Sequence, residues 1–569
     1  MNQDGTSSDS THHLPILYWL PRYQKAWLRW DVVAGLTAAA VVIPQAMAYA
    51  TIAGLPVEAG LYVALVPMLL YALLGASRPL SVSTTSTIAI LTATALAAVA
   101  QSSNPVDYMI PAATLALMVG VFLLLASIFR LGFLANFISL PVLTGFKAGV
   151  GVVIFVGQLG KILGISVPKG PFVQTVLTTL QGLDDIHWLT FAVGLVILAI
   201  LLLLPRLTPR LSAPLVAVAV AILASALFNL GDKGVALVGA VPPGLPTFTL
   251  PDLTLMDALW PSALGIALMS FTESIAAARA FMKHDDLAPD PDQELLALGI
   301  ANIGGSFFQA MPAGGGTSQT AVNNQTGART QMAGIITAAT VIVTLLFLAP
   351  LIGLMPEAAL GALVLVAAAG LINVQEFRAI ANIRRAEFGW AIIALAGVVL
   401  LGTLEGILVA VAVSLLTLIA DANHPPVYEI ARKPGSDVFR PRSPEHPEDE
   451  TFPGLLIIRS EGRMNFASAP RTEDRVWELI RAAEPKVVIA EYSAIPDIEY
   501  TALMMMTELE EKLSDQGITL WLVALNPEPL KIIQRSPLGK KIGHERMFFN
   551  LKEAVEFYMK NQPQQVTEV

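Results

Sequence analysis

Cysteine is absent from the 569 residues. That excludes disulfides, thiolate nucleophiles and Cys-ligated metal sites, and says nothing about compartment. Charge is scarce: Asp, Glu, Lys and Arg make up 14% of the chain, against 54% hydrophobic residues. The seven histidines are scattered and form no cluster. No P-loop and no Ser–His–acid arrangement is present, so the residues support no enzyme, no cofactor and no metal site. A net charge of −9 without a basic block gives no reason to expect nucleic acid. No cleavable signal is visible in the polar, Ser/Thr-rich residues 1–15. What remains is apolar. Runs near 20 residues and a mean hydropathy of +0.63 describe an integral membrane protein.

The few charges are unevenly placed. From Asn423 onward lie 41 of the 79 charged residues, so the composition turns there from membrane to soluble. Before it, Tyr18 to Trp30 mixes aromatics with Arg22, Lys25 and Arg29, as an interfacial segment does, and closes a cytoplasmic N-terminal stretch of residues 1–30. Apolar runs follow near 31–52, 60–76, 86–100, 109–129, 134–157, 188–204 and 213–229, then near 260–281, 294–308, 317–328, 333–352, 357–374, 386–402 and 404–421. That is 14 candidate spans. With the N-terminus in the cytoplasm, inner segments carry thirteen Lys or Arg and outer loops three, a positive-inside bias that also places the C-terminal region in the cytoplasm.

Fourteen spans divide into two sevens, and an odd number inverts the second half relative to the first. The third span begins behind SVSTTST (Ser81–Thr87), and the tenth lies in the polar stretch MPAGGGTSQTAVNNQTGARTQMAG (Met311–Gly334). Gly314, Gly315 and Gly316 behind Pro312 oppose a helix; Thr317 to Thr320 can cap and start one. A chain that breaks and restarts at membrane depth is tolerated where it lines a cavity. Broken segments at matching places of two halves point to a midplane substrate site, with free N–H groups facing an anion. The alternative is a loop between two ordinary spans.

Glu273 lies in the middle of the eighth span, where an ionisable residue is costly and by default functional. It could bind a proton, join Thr272 and backbone carbonyls as sodium ligands, or pair with Arg279 or Lys283. Gln45, behind the helix-breaking Pro44, is either an amide donor to an anion or an interhelical hydrogen-bonding residue. Thr84, Thr85, Ser86 and Thr87 offer hydroxyls to a substrate or to a helix cap. Asn323, Asn324 and Arg329 read as structural, and Lys147 as snorkelling.

Residues 423–453, rich in Pro and charge, read as a linker. From Gly454 to about 561 strands (LLIIRSEG, KVVIAEYS, ITLWLVAL) alternate with helices (TALMMMTELEEKL, LKEAVEFYMK), as in one small α/β domain.

Taken together these stretches resemble the SulP family of anion transporters. DVVAGLTAAAVVIPQAMAYATIAGLPVEAGLY is similar to the family's first-span motif, and YALLGASRPLSV follows it. FTESIAAARAF, DQELLALGIANIGGSFF and TSQTAVNNQTGART resemble spans 8, 9 and 10, and the tail a STAS domain. The resemblance implies a 7+7 inverted repeat over residues 31–422, with a core of spans 1–4 and 8–11 and a gate of spans 5–7 and 12–14. It also implies a homodimer in the plasma membrane and an anion held between the starts of spans 3 and 10. Gln45, Thr84, Thr85, Ser86, Thr317, Ser318 and Gln319 are then the expected substrate contacts. Glu273 is the expected coupling residue, for protons or alternatively sodium, since its counterpart is acidic in proton-coupled members. Thr501, in the STAS loop before its helix, is the candidate phosphosite, with a plain helix cap as the alternative. The chain departs from the family where Ser83-Thr84 replace Gly-Pro, and where Gln319 replaces a frequent Arg. A nucleobase permease and a membrane-tethered STAS scaffold are the competing functions.

Overall fold

The computed structural model describes residues 15–99, 104–136, 139–167, 172–208, 212–282 and 288–561. Lys283 lies outside these residues, as do Arg210 of an inner segment and Lys169 of an outer loop, two of the charges behind the positive-inside bias. The chain divides into two compact units, Met1–Leu415 and Leu416–Val569.

A helix occupies each of the fourteen apolar runs, the last of them, Thr403–Ala422, crossing the boundary between the units. By length and composition, eight of the described helices can cross a membrane. Helix α1 spans Lys25–Ala53, so it begins inside the stretch expected to be interfacial, and Pro44 sits within it without ending it. Proline deprives the carbonyl four residues earlier of its partner. Here that carbonyl, Ala40, accepts instead from the Ser212 hydroxyl at 3.2 Å, the kind of substitution that lets a membrane helix carry proline. Gly54 ends α1 at φ 79°, donating to Ala50 and Thr51. Gly60 lets the returning chain lie against α1: a Cβ there would sit 2.0 Å from the Ala46 carbonyl oxygen.

The chain then forms α2 (Val66–Leu74), a two-residue strand β1 (Val82–Ser83) and a short helix α3 (Ser86–Ala97). In the second half come α4 (Met256–Ala280), α5 (Pro291–Ser306), strand β2 (Gly314–Gly315), a short helix α6 (Thr317–Gln325) and α7 (Met332–Val343). Extensive helix packing falls in two groups. One joins α1 to α7, and α5 to α2 and to Met109–Ile128. The other joins Leu140–Leu163 to Glu357–Gly370 and Arg385–Leu401, so closely that a Cβ on Gly145 would meet the Ala391 carbonyl at 2.0 Å.

The second unit contains a six-stranded sheet. Its strands are β3 (Val427–Arg432), β4 (Phe439–Pro441), β5 (Leu455–Ser460), β6 (Val487–Glu491), β7 (Thr519–Val523) and β8 (Met547–Phe548). Their order is β4-β3-β5-β6-β7-β8. β5 to β8 are parallel, and β3 runs antiparallel to β5. Helices α8 (Ala469–Ala483) and α9 (Tyr500–Asp515) cover one face, and Leu551–Asn561 the other. Residues 423–453 are therefore not a plain linker: β3 and β4 lie within them. Prolines and charges surround these strands, yet Ile430 and Ala431 of β3 are buried. Arg440 on β4 holds Asp449 by two hydrogen bonds of 2.8 and 2.7 Å, which keep that carboxyl below its ordinary range.

Candidate anion site

The two polar breaks meet. β1 and β2 pair antiparallel, Val82 opposite Gly315 and Ser83 opposite Gly314. Each strand leads directly into a short helix, α3 or α6, and both helices pack on α1 and α4.

Irregular backbone in a bilayer must find partners within the protein. Those partners explain the polar residues of α4 and α5. The Ala313 N–H donates to Asn302 Oδ1 at 2.8 Å, and the Ala313 carbonyl accepts from the Ser270 hydroxyl at 2.7 Å. The Gly315 N–H donates to the Ser274 hydroxyl at 2.6 Å. The glycines are there for space: a Cβ on Gly315 would lie 2.9 Å from both Ser274 Cα and Leu80 Cδ1. Gly315→Ala is expected to lower the melting temperature of the purified protein, since such overpacking costs about 1–3 kcal/mol. An unchanged melting temperature would show that β2 has room.

Each short helix presents first-turn N–H groups without intrahelical acceptors. Among the described residues, the amides of Ser86 and Thr87 on α3 and of Thr317, Ser318 and Gln319 on α6 have no other acceptor. Thr85 caps α3, its hydroxyl accepting from the Ile88 N–H at 3.2 Å. The cap of α6 is Gly316, which has no side chain to offer, not the hydroxyls of Thr317 to Thr320. Thr317 and Ser318 are instead exposed, although the residues ahead of them from Ala310 are buried. The start of α6 thus opens onto accessible space.

The expected contacts separate into three kinds. Thr317 and Ser318 are open, and the Ser318 hydroxyl reaches half-buried Gln45 on α1 at 3.5 Å, the outer limit of a hydrogen bond. Thr84 is fully buried, and its hydroxyl oxygen has no partner among the described residues. Gln319 is buried and engaged: its Oε1 accepts from the Ser83 hydroxyl at 2.8 Å and from Ser81 at 3.4 Å. It ties α6 to β1 across the two halves.

Glu273, 5% exposed on α4, accepts from the Thr85 hydroxyl at 2.9 Å. The coupling candidate is therefore one hydrogen bond from the cap of α3. Tyr49 stands beside Glu273 and Ser86. It lies four residues after Gln45, on the same face of α1, and sequence reading missed it. The Thr272 hydroxyl donates to Leu268 of its own helix at 2.7 Å. No cluster of three or more His, Asp or Glu suited to a metal occurs among the described residues.

Of the residues read as structural, Asn323 donates Nδ2 to the Pro79 carbonyl at 3.1 Å, and Arg329 donates its backbone N–H to buried Asp31 at 2.7 Å. In the second unit Thr501 is exposed at the second position of α9, behind Glu499 at the cap position.

The sequence profile of the Sulfate permease family matches residues 28–394, and that of the STAS domain residues 446–554. The chain is 37% identical over 540 residues to the probable sulfate transporter Rv1739c of Mycobacterium tuberculosis, covering 94% of this chain and 96% of that one. It is 31% identical over 562 residues to the chloroplastic sulfate transporter 4.1 of Arabidopsis thaliana, covering 95% and 82%. Among solved structures, murine Slc26a9 in its inward-facing state shares the fold with a TM-score of 0.87 at 22% identity, over 98% of this chain and 97% of that one. The transmembrane domain of the cyanobacterial bicarbonate transporter BicA matches 69% of this chain and 98% of its own length, with a TM-score of 0.60 at 22% identity.

Proposed function

We propose, for a chain that belongs to the sulfate permease family and is a transporter rather than an enzyme, that it carries a small inorganic or carboxylate anion of the sulfate, bicarbonate or dicarboxylate class by alternating access. The anion sits between the starts of α3 and α6, within reach of Gln45, Thr84, Thr317 and Ser318. The observation that carries this reading is the paired strand β1–β2, which brings two helix N-termini together beside Glu273.

The same geometry favours proton coupling. A helix start carries about half a positive charge, and an ionised Glu273 opposes it. An anion is then accepted most readily when Glu273 holds a proton, and the bound anion favours protonation in return. Sodium symport is the alternative; there the Thr272 oxygen, whose hydrogen goes to Leu268 of its own helix, would offer its lone pairs to the cation. In this reading the protein is a homodimeric symporter of the plasma membrane, with its N-terminus and STAS domain in the cytoplasm. The experiment is uptake into proteoliposomes across a panel of anions, with and without a pH gradient. Gradient-driven accumulation of at least one oxyanion supports the reading; no transport of any of them by folded protein refutes it.

The tail serves assembly or regulation rather than anion binding. Because β3 begins at Val427, the informative truncation removes residues 423–569 and leaves no fragment of the sheet. It is expected to retain transport while expression, dimerisation or rate falls. A folded truncation with no residual uptake would overturn this division. Thr501 is the candidate modification site, since a phosphate there would meet the start of α9.

A further inference from the structure

The polypeptide between α2 and β1 contains neither helix nor strand, yet it delivers the chain to the start of α3. Its backbone must be satisfied by side chains, and those side chains come from the other half of the unit. The Ala76 and Ser77 N–H groups donate to Glu294 Oε1 at 3.2 and 3.1 Å. The carbonyls of Ser77 and Leu80 accept from Gln331 Nε2 at 2.7 and 2.9 Å, and that of Pro79 from Asn323. The Ser81 N–H donates to the Thr320 hydroxyl at 3.1 Å, and its carbonyl accepts from the Gly316 N–H at 3.0 Å. Glu294 is fully buried in the first turn of α5 and also takes the Tyr71 hydroxyl, at 3.0 and 2.9 Å to its two oxygens.

We propose that Glu294 is a positioning residue of the anion site: it anchors residues 75–83 to α5, so that the start of α3 is fixed relative to α6 and the two move as one body. The contrast with Glu273 supports separate roles. The three groups bonded to Glu294 are the Tyr71 hydroxyl and two backbone N–H groups of the connecting segment, whereas Glu273 takes one hydroxyl at the site itself. The proposal rests on the reading that an anion binds between α3 and α6, but the anchoring it asserts can be measured without an anion.

The test uses the full chain in nanodiscs and reads hydrogen exchange over residues 75–85 together with sulfate and bicarbonate affinity. In Glu294→Ala, exchange there is expected to rise, and affinity to fall, by about tenfold or more, the scale of leaving a buried N–H group without its acceptor. Exchange in the tail sheet should not change. Glu294→Gln keeps an oxygen for both N–H groups and is expected to stay within about threefold of the parent in both readouts. Tyr71→Phe leaves the carboxylate in place and should loosen the segment by a smaller factor; it decides the matter if Glu294→Ala does not fold. Unchanged exchange over 75–85 would overturn the proposal. So would loosened exchange with full anion affinity, which would make the anchor irrelevant to the site. If the parent binds neither anion the functional reading fails, and the exchange measurement still decides whether Glu294 anchors the segment.

Discussion

Glu273→Gln is expected to abolish accumulation of substrate against its gradient while leaving exchange of substrate across the membrane. Two like charges about 6 Å apart repel by roughly 3 kcal/mol at an effective dielectric constant near 20, which is about a hundredfold in affinity. An ionised carboxylate one hydrogen bond from the α3 cap can therefore decide whether an anion enters. Protonation removes the repulsion and ties anion binding to the proton. Glutamine is permanently neutral and can still accept from the Thr85 hydroxyl, so the shape of the site survives. Binding should become independent of pH, at the affinity the parent shows in acid. The assay is counterflow against gradient-driven uptake over a range of external pH. A variant that still concentrates substrate with the parent's pH profile would remove Glu273 from coupling.

The second large effect is expected at Gln319. An arginine there would put a full positive charge beside two helix starts that supply only partial charge. A divalent oxyanion gains about twice as much from that charge as a monovalent one. Gln319→Arg is therefore expected to shift the ratio of sulfate to monovalent-anion affinity upward by about tenfold or more. The structure adds a condition. Gln319 is buried, and its carbonyl receives the Ser83 hydroxyl, so the new side chain must redirect that hydroxyl. It could also pair with Glu273, which would mask the effect. The same substitution is therefore measured with Glu273→Gln as well. Competition uptake giving an unchanged ratio in both backgrounds, with folding intact, would place residue 319 outside the field felt by the anion.

Much of this arrangement is legible in the sequence, because the features that mark it are local. Three consecutive glycines behind Pro312 prohibit a helix wherever they fall, and a carboxylate inside an apolar run stands out without a structure. The tail strands announce themselves by continuous apolar runs. What sequence reading missed depends on partners far along the chain. Asp31 and Glu294 resemble ordinary residues at helix starts, yet each is buried and holds backbone N–H groups of the opposite half, at Arg329 and Thr330 and at Ala76 and Ser77. Pro44 suggests a break because its rescuer, Ser212, lies 168 residues on. Nothing local to Gln319 reveals that Ser83 donates to its carbonyl. β3 and β4 are hidden by the prolines and charges around them.

An anion held where α3 and α6 begin must shield the residues there. The absence of cysteine allows a direct test, because a single introduced thiol is the only one to react. Ser318 is exposed at the start of α6, and Ser318→Cys changes one oxygen to sulfur. The measurement is the rate of modification of Cys at that position by a small hydrophilic thiol reagent, with the transported anion titrated in at constant ionic strength. Protection is expected to saturate with the anion, half-maximal near the concentration that half-saturates uptake by the same variant. Modification at an unchanged rate under saturating anion, in protein that still transports, would contradict it.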